Sequence, residues 1–180
     1  MAGDGPAAGR EAGLFFEEVF ERQAHSNGLL VLKNPPGAQY CGKGRLRVIF
    51  NNLDYFLGTQ AGRVAFVDCK SYEKHYFTYS EINIRPKQLE RAVLLNEHQI
   101  PAGFVVYFRK TGEIVYFTGS QIALKGPKTR FTADEGLRLG RLEQFDLRAV
   151  LSEFHPIGKA RTQAAIAFGR LDTVRSRPER

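Results

Sequence analysis

Apolar and polar positions along the chain switch between a helical and an extended period. From Glu11 the spacing is helical. Phe15 and Val19, and Phe16 and Phe20, stand four apart, with Glu17, Glu18, Glu21 and Arg22 beside them. Asn27 and Gly28 close that helix with residues suited to a left-handed cap. Leu29 to Leu32 is a continuous apolar run, which predicts a strand buried on both faces, and Pro35-Pro36-Gly37 stops it. Asp54-Tyr55-Phe56-Leu57 opens a second strand, Gly58 and Gly62 bracket a turn, and Arg63–Lys70 forms a third strand. Residues 82–98 read as a helix whose apolar face carries Leu89, Ala92 and Val93, with Pro86 in its first turn. Residues 104–108 and 114–117 are strands joined by a hairpin turn at 109–112. Beyond residue 125 the periodicity weakens. Leu137, Leu139, Leu142, Leu147 and Leu151 predict one or two helices, and residues 170–180 read as disordered and basic.

Residues 41–53 break this pattern. Two glycines with Lys43, Arg45 and Arg47 lead into Val48-Ile49-Phe50, a basic excursion with an apolar element. The expected organisation is a disordered N-terminus over 1–10, one α/β core over 11–124 that includes the excursion at 41–53, and a C-terminal extension over 125–180, partly helical and then disordered. A chain of 180 residues has room for one such domain. No apolar run approaches the roughly 18 residues of a membrane span, and the N-terminus lacks the layout of a secretory signal, so a cytoplasmic protein is expected. Cys41 and Cys69 are too few for a disulfide framework or a cysteine-rich zinc site.

Charge changes the picture further. The net charge is +7 and the pI about 9.6. Residues 1–100 hold 12 basic and 11 acidic residues, whereas residues 101–180 hold 14 and 8. An excess confined to one half points to a polyanionic partner, nucleic acid before membrane. In the strand Arg63–Lys70 the alternation places Val64, Phe66, Asp68 and Lys70 on one face and Ala65, Val67 and Cys69 on the other. Asp68 and Lys70 thus stand side by side at the end of a hydrophobic strand. Asp54 lies 14 residues before Asp68, just ahead of the neighbouring strand, and two carboxylates at adjacent strand ends suit a hard divalent cation such as Mg²⁺. Gln88 follows at the start of the next helix.

The order Asp54, Asp68-Cys69-Lys70, Gln88 resembles the PD-(D/E)xK nuclease superfamily, and within it the RecU-type Holliday junction resolvases. Gly13-Leu14-Phe15-Phe16-Glu17 is similar to the opening helix of that branch, and Asn27 through Lys33-Asn34-Pro35-Pro36 to its first strand. Leu53-Asp54-Tyr55 keeps the Asp-Tyr of its first metal carboxylate, and Val67-Asp68-Cys69-Lys70 corresponds to its catalytic strand. Pro86-Lys87-Gln88-Leu89 matches its glutamine helix. Asp68 stands where the branch more often has Glu, Lys87 where it has His, and the excursion, its stalk, is shorter here.

The resemblance implies a restriction-endonuclease-like mixed central sheet flanked by helices, with a short stalk-like excursion and a basic C-terminal tail. It implies an Mg²⁺-dependent (or Mn²⁺-dependent) endonuclease of DNA recombination and repair, in a bacterial or phage-infected cytoplasm, whose homodimer nicks paired strands of a four-way junction. Asp54 and Asp68 would bind metal with the Val67 or Cys69 carbonyl assisting, Glu17 would bind through water, Lys70 would position the nucleophile, and Gln88 would orient the water or Lys70. Lys43, Arg45 and Arg47 would meet phosphates, and Val48, Ile49 and Phe50 would wedge into the junction or pack on the partner subunit. Tyr72, Lys74 and Lys87 are further DNA-binding candidates, with His75 and Tyr76 interleaved. Two other readings stay open: an endonuclease of the same fold acting on linear or flapped DNA, and a non-catalytic DNA-binding module.

Overall fold

The computed structural model describes residues 6–34, 37–40, 46–49 and 53–152. The first helix, α1 (Pro6–Ser26), starts five residues ahead of Glu11. It is followed by β1 (Leu30–Lys33), a hairpin of β2 (Gly37–Tyr40) and β3 (Leu46–Ile49), β4 (Tyr55–Gly58), β5 (Val64–Tyr72) and β6 (Tyr76–Phe77). Next come α2 (Pro86–Glu97), β7 (Ala102–Phe108), β8 (Glu113–Thr118), α3 (Gly119–Lys125), β9 (Phe131–Thr132) and a single 3-10 turn at Ala133–Glu135. The described chain closes with β10 (Leu137–Arg141), β11 (Gln144–Phe145) and α4 (Arg148–Leu151).

Seven strands form one sheet in the order β1-β4-β5-β7-β8-β10-β11. Every neighbouring pair is antiparallel except β5 and β7, which α2 connects as a crossover between parallel strands. The sheet is therefore mixed, and helices cover both faces, as expected for the α/β class. Alternation along the strands sorts the core into two layers. Phe16, Val19, Phe20 and Ala24 of α1 pack on Tyr55, Leu57, Ala65, Val67, Val105 and Tyr116. On the opposite face Leu89, Ala92 and Val93 of α2 and Ile122 of α3 pack on Phe104, Val106, Val115 and Phe117.

Three expectations change. Leu29–Leu32 does not form a strand buried on both faces: β1 is the sheet edge, with Leu30 and Leu32 about half exposed. On α1 the buried stripe runs through Phe16, Val19 and Phe20, while Phe15 stays 50% exposed. The sheet also does not end at residue 124. Leu137 and Leu139 lie on β10, paired with β8, where two leucines at a spacing of two face the α1 layer. A bulge between Arg138 and Gly140 interrupts that pairing, and Gly140 takes it up at φ 141°, a backbone region open chiefly to glycine. Among the described residues beyond 125 the expected helix survives only as α4, a single turn.

Within the excursion expected at 41–53 the described residues form β3, which pairs antiparallel with β2 ahead of those bounds in a two-stranded sheet separate from the seven-stranded one. Lys43 and Arg45 lie outside the described residues, as do Phe50, the side chains of Arg47, Val48 and Ile49, and the expected disordered tail. No helix among the described residues is long and apolar enough to cross a membrane.

Candidate active site

The site forms where one strand outlasts its neighbour. The β4–β5 ladder ends at the pair Tyr55–Val67, whereas β5 continues to Tyr72 alongside β7. The Phe66 N–H donates to Pro101 O, and Tyr72 O accepts from Arg109 N–H, so even-numbered backbone groups of β5 face β7. Odd-numbered ones face the opposite edge. The Cys69 carbonyl is therefore directed into the notch left by the end of β4, while its side chain packs, buried, in the α1 layer. Burial, followed by the Asp68 charge, pushes the Cys69 thiol well above its ordinary range, so it stays protonated.

Asp68 is the only carboxylate in the buried set among the described residues. Its Oδ1 lies 2.6 Å from Lys70 Nζ but accepts no aligned hydrogen bond. Its Oδ2 accepts from Gln88 Nε2 at 2.5 Å. Gln88 is fixed by its second role. As the third residue of α2 its Oε1 accepts from the Arg85 backbone N–H at 3.2 Å, which turns its amide N–H₂ toward Asp68. Sequence placed this glutamine at the site; the structure gives it a carboxylate as its partner.

Burial pushes the Asp68 carboxyl up to about 7; Lys70 opposes the shift, and the Asp54 charge adds to it. The half-buried Asp54 carboxyl is likewise raised, first by burial, against the pull of Lys70, with Glu17 adding to the rise. Glu17 reaches the notch from α1, on the other face of the sheet. Its Oε2 accepts from Lys33 Nζ at 2.7 Å and lies 3.3 Å from the Tyr55 hydroxyl, which donates to Glu21 Oε1 at 2.7 Å. Asp54, Asp68, Lys70, Gln88 and Glu17 are thus brought together around one notch.

Two contributors were not singled out from sequence. Lys33 pairs in register with Tyr55 across β1 and β4, sits 5.5 Å from that ring and neutralises Glu17. Asn34 ties down the approach to Asp54: its backbone N–H donates to Asp54 O at 2.6 Å and its Nδ2 to Leu53 O at 3.0 Å. Both ends of the excursion are joined there. The sequence signals for this pair were its position directly after the apolar run that becomes β1 and its place in the Lys33-Asn34-Pro35-Pro36 segment quoted above, which assigned it no role.

The other described DNA-binding candidates lie on either side of the site in sequence. Tyr72 and Lys74 follow the site along β5, with Lys74 Nζ 5.7 Å from the Tyr72 ring, 5.6 Å from the Tyr76 ring and 3.3 Å from Glu81. Arg130, far away in sequence, stacks 4.6 Å from the Tyr76 ring. Lys87 is exposed at the start of α2, beside Gln88.

Among the described residues no group of three or more His, Cys, Asp or Glu side chains converges as a ligand set. The notch nevertheless fits a hard cation with two carboxylates, Asp54 and Asp68, a strand carbonyl beyond the end of the β4 ladder, and a buried carboxylate oxygen lacking an aligned donor. Mg²⁺ is commonly bound by one or two carboxylates, with water and phosphate oxygens completing its shell.

No family model matches this chain, and no curated protein matches it. Among solved structures it is similar to Hjc of Archaeoglobus fulgidus, a Holliday junction resolvase from an archaeal hyperthermophile. The TM-score is 0.49 at 12% identity, covering 80% of this chain and 98% of that one.

Proposed function

We propose that this chain is a divalent-cation-dependent DNA endonuclease of the PD-(D/E)xK type, acting on four-way junctions as a homodimer in the manner of the RecU-type resolvases. The observation that carries the reading is the buried Asp68, held between Lys70 and Gln88 at the notch where Asp54 and Glu17 also arrive. A fully buried carboxylate with a raised pKa beside a second carboxylate is poorly explained as a stabilising feature and well explained as a site kept for a cation. Asp54, Asp68 and the Cys69 carbonyl would hold Mg²⁺ or Mn²⁺, with Glu17 reaching it through water. When bound, the cation supplies an acidified water and offsets charge on the transferring phosphate.

The chain's own groups do the rest. Lys70, released from Asp68, is free to bond the attacking water or a phosphate oxygen, and it brings positive charge to a site of low polarity. Gln88 keeps Asp68 in one rotamer, because its amide is itself anchored to the start of α2. Lys33 holds the Glu17 carboxylate in place at the rim through their ion pair. Lys74, Arg130 and Lys87, with the basic excursion, would carry the DNA arms.

Labelled four-way junction, flap and linear duplex, incubated with Mg²⁺ or EDTA, test the reading against an Asp68→Asn variant. Paired nicks in the junction alone, lost by at least about a hundredfold in the variant while binding persists, are the expected result. Comparable cleavage of linear duplex would move the substrate assignment to linear DNA. Binding without Mg²⁺-dependent cleavage would reduce the chain to a DNA-binding module.

A further inference from the structure

Beside the notch lies a cavity of about 210 Å³ lined by Asn34, Leu53, Phe66, Arg91 and Leu95. Three of these residues are register neighbours of site residues. Leu53 precedes Asp54, Phe66 lies two residues before Asp68 on the same face of β5, and Arg91 lies one helical turn after Gln88 on α2. Two residues of strand span about 7 Å and one turn of helix about 5 Å, so the cavity adjoins the carboxylates at roughly the length of one nucleotide unit.

Its chemistry is selective. Leu53 and Leu95 give apolar walls, and the Phe66 ring, which meets Phe56 edge-on at 5.4 Å, offers an aromatic surface. Arg91 is exposed and makes no ion pair or hydrogen bond among the described residues. None of the described lining residues is acidic. An unpaired guanidinium beside an aromatic ring suits a flat, hydrogen-bonding ligand that carries an anion, and the volume suits a ligand of one base rather than a duplex.

We infer that this cavity receives the nucleobase adjoining the scissile phosphate, unstacked from its neighbours, with Phe66 stacking on it and Arg91 bonding its edge or its phosphate. The inference rests on the nuclease reading and adds to it a subsite that would set nucleotide preference at the cut. Extruding a base costs a few kcal/mol, which the Phe66 and Arg91 contacts would offset.

The test measures binding in EDTA, so that it is independent of cleavage. The probe is a four-way junction in which a single abasic residue is moved one nucleotide at a time past the branch. With the unaltered protein one position should weaken binding about tenfold, the loss expected for one stacked base. Arg91→Gln, at an exposed position, and Phe66→Leu, checked for folding by circular dichroism, should weaken binding to the intact junction and abolish the penalty at that position alone. A penalty that persists unchanged in both variants, or an abasic series with no sensitive position, overturns the subsite. Parallel assays in Mg²⁺ separate this inference from the nuclease reading. Cleavage with a flat abasic profile keeps the nuclease and rejects the subsite; a position-specific binding profile without cleavage keeps the subsite and rejects the nuclease.

Discussion

Replacing Asp68 by Asn should make the metal-free protein more stable at neutral pH and no more stable at pH 4. The carboxyl is held at about 7 in the folded chain, against an ordinary value of 3.8 when exposed. Between those limits the native state carries a proton that the unfolded chain has released. Stability therefore falls as pH rises through the window from about 4 to about 7. Each pH unit is worth about 1.4 kcal/mol per proton, so the whole window amounts to roughly 4 kcal/mol. Asp54, raised in the same direction, steepens the fall. Asn has the shape of the protonated acid and does not titrate, so the variant should lose the Asp68 part of the slope. The gain at pH 8 is reduced because Lys70 loses its carboxylate partner. Urea unfolding of both proteins in EDTA, from pH 4 to pH 8, measures the difference directly. Parallel curves, with a gap that does not change with pH, would refute the argument that burial rather than design for stability sets the state of Asp68.

Three other outcomes follow from named contacts. Asn96, buried in α2, donates to Ile100 O and Ala102 O and accepts from the Ser120 backbone and hydroxyl groups, so Asn96→Ala should cost about 2–4 kcal/mol in chemical denaturation. Gly119→Ala would place a methyl 2.5 Å from the Ala92 Cβ, where α3 meets α2. It should cost about 2 kcal/mol and lower Tm by roughly 4–8 °C in calorimetry. Lys33→Met removes a cation whose charge lowers the Asp54 carboxyl, so that carboxyl should rise; in the proposed nuclease the acid limb of the cleavage pH profile should move to higher pH, measured on junction substrate at saturating Mg²⁺.

The strand β5 was legible because alternation is a local property. Asp68 and Lys70 share a face with Phe66 and Tyr72, and Val67 and Cys69 share the other, as a period of two requires. The start of α2 was legible from Pro86, and Gln88 came with it. What a strand lies beside is not local. Leu29–Leu32 has the composition of a central strand, yet β1 closes the sheet, and nothing in its own residues records the missing neighbour. Leucines 137 and 139 were grouped with leucines 142, 147 and 151 into a helical reading that only pairing with β8 resolves into a strand. Arg130 over Tyr76, and Lys33 against Glu17, are contacts between elements distant in sequence, and no spacing could announce them.

The two bonds from Asn34 to Leu53 and Asp54 have a consequence for how this chain can vary. They tie the end of β1 to the start of β4 in one short rung, at the base of the segment that carries β2 and β3. A longer, shorter or differently charged insert could be exchanged at that base without moving the carboxylate behind it. The Asn34 rung is in this sense a boundary: what changes on the hairpin side of it need not be transmitted to the carboxylates on the sheet side.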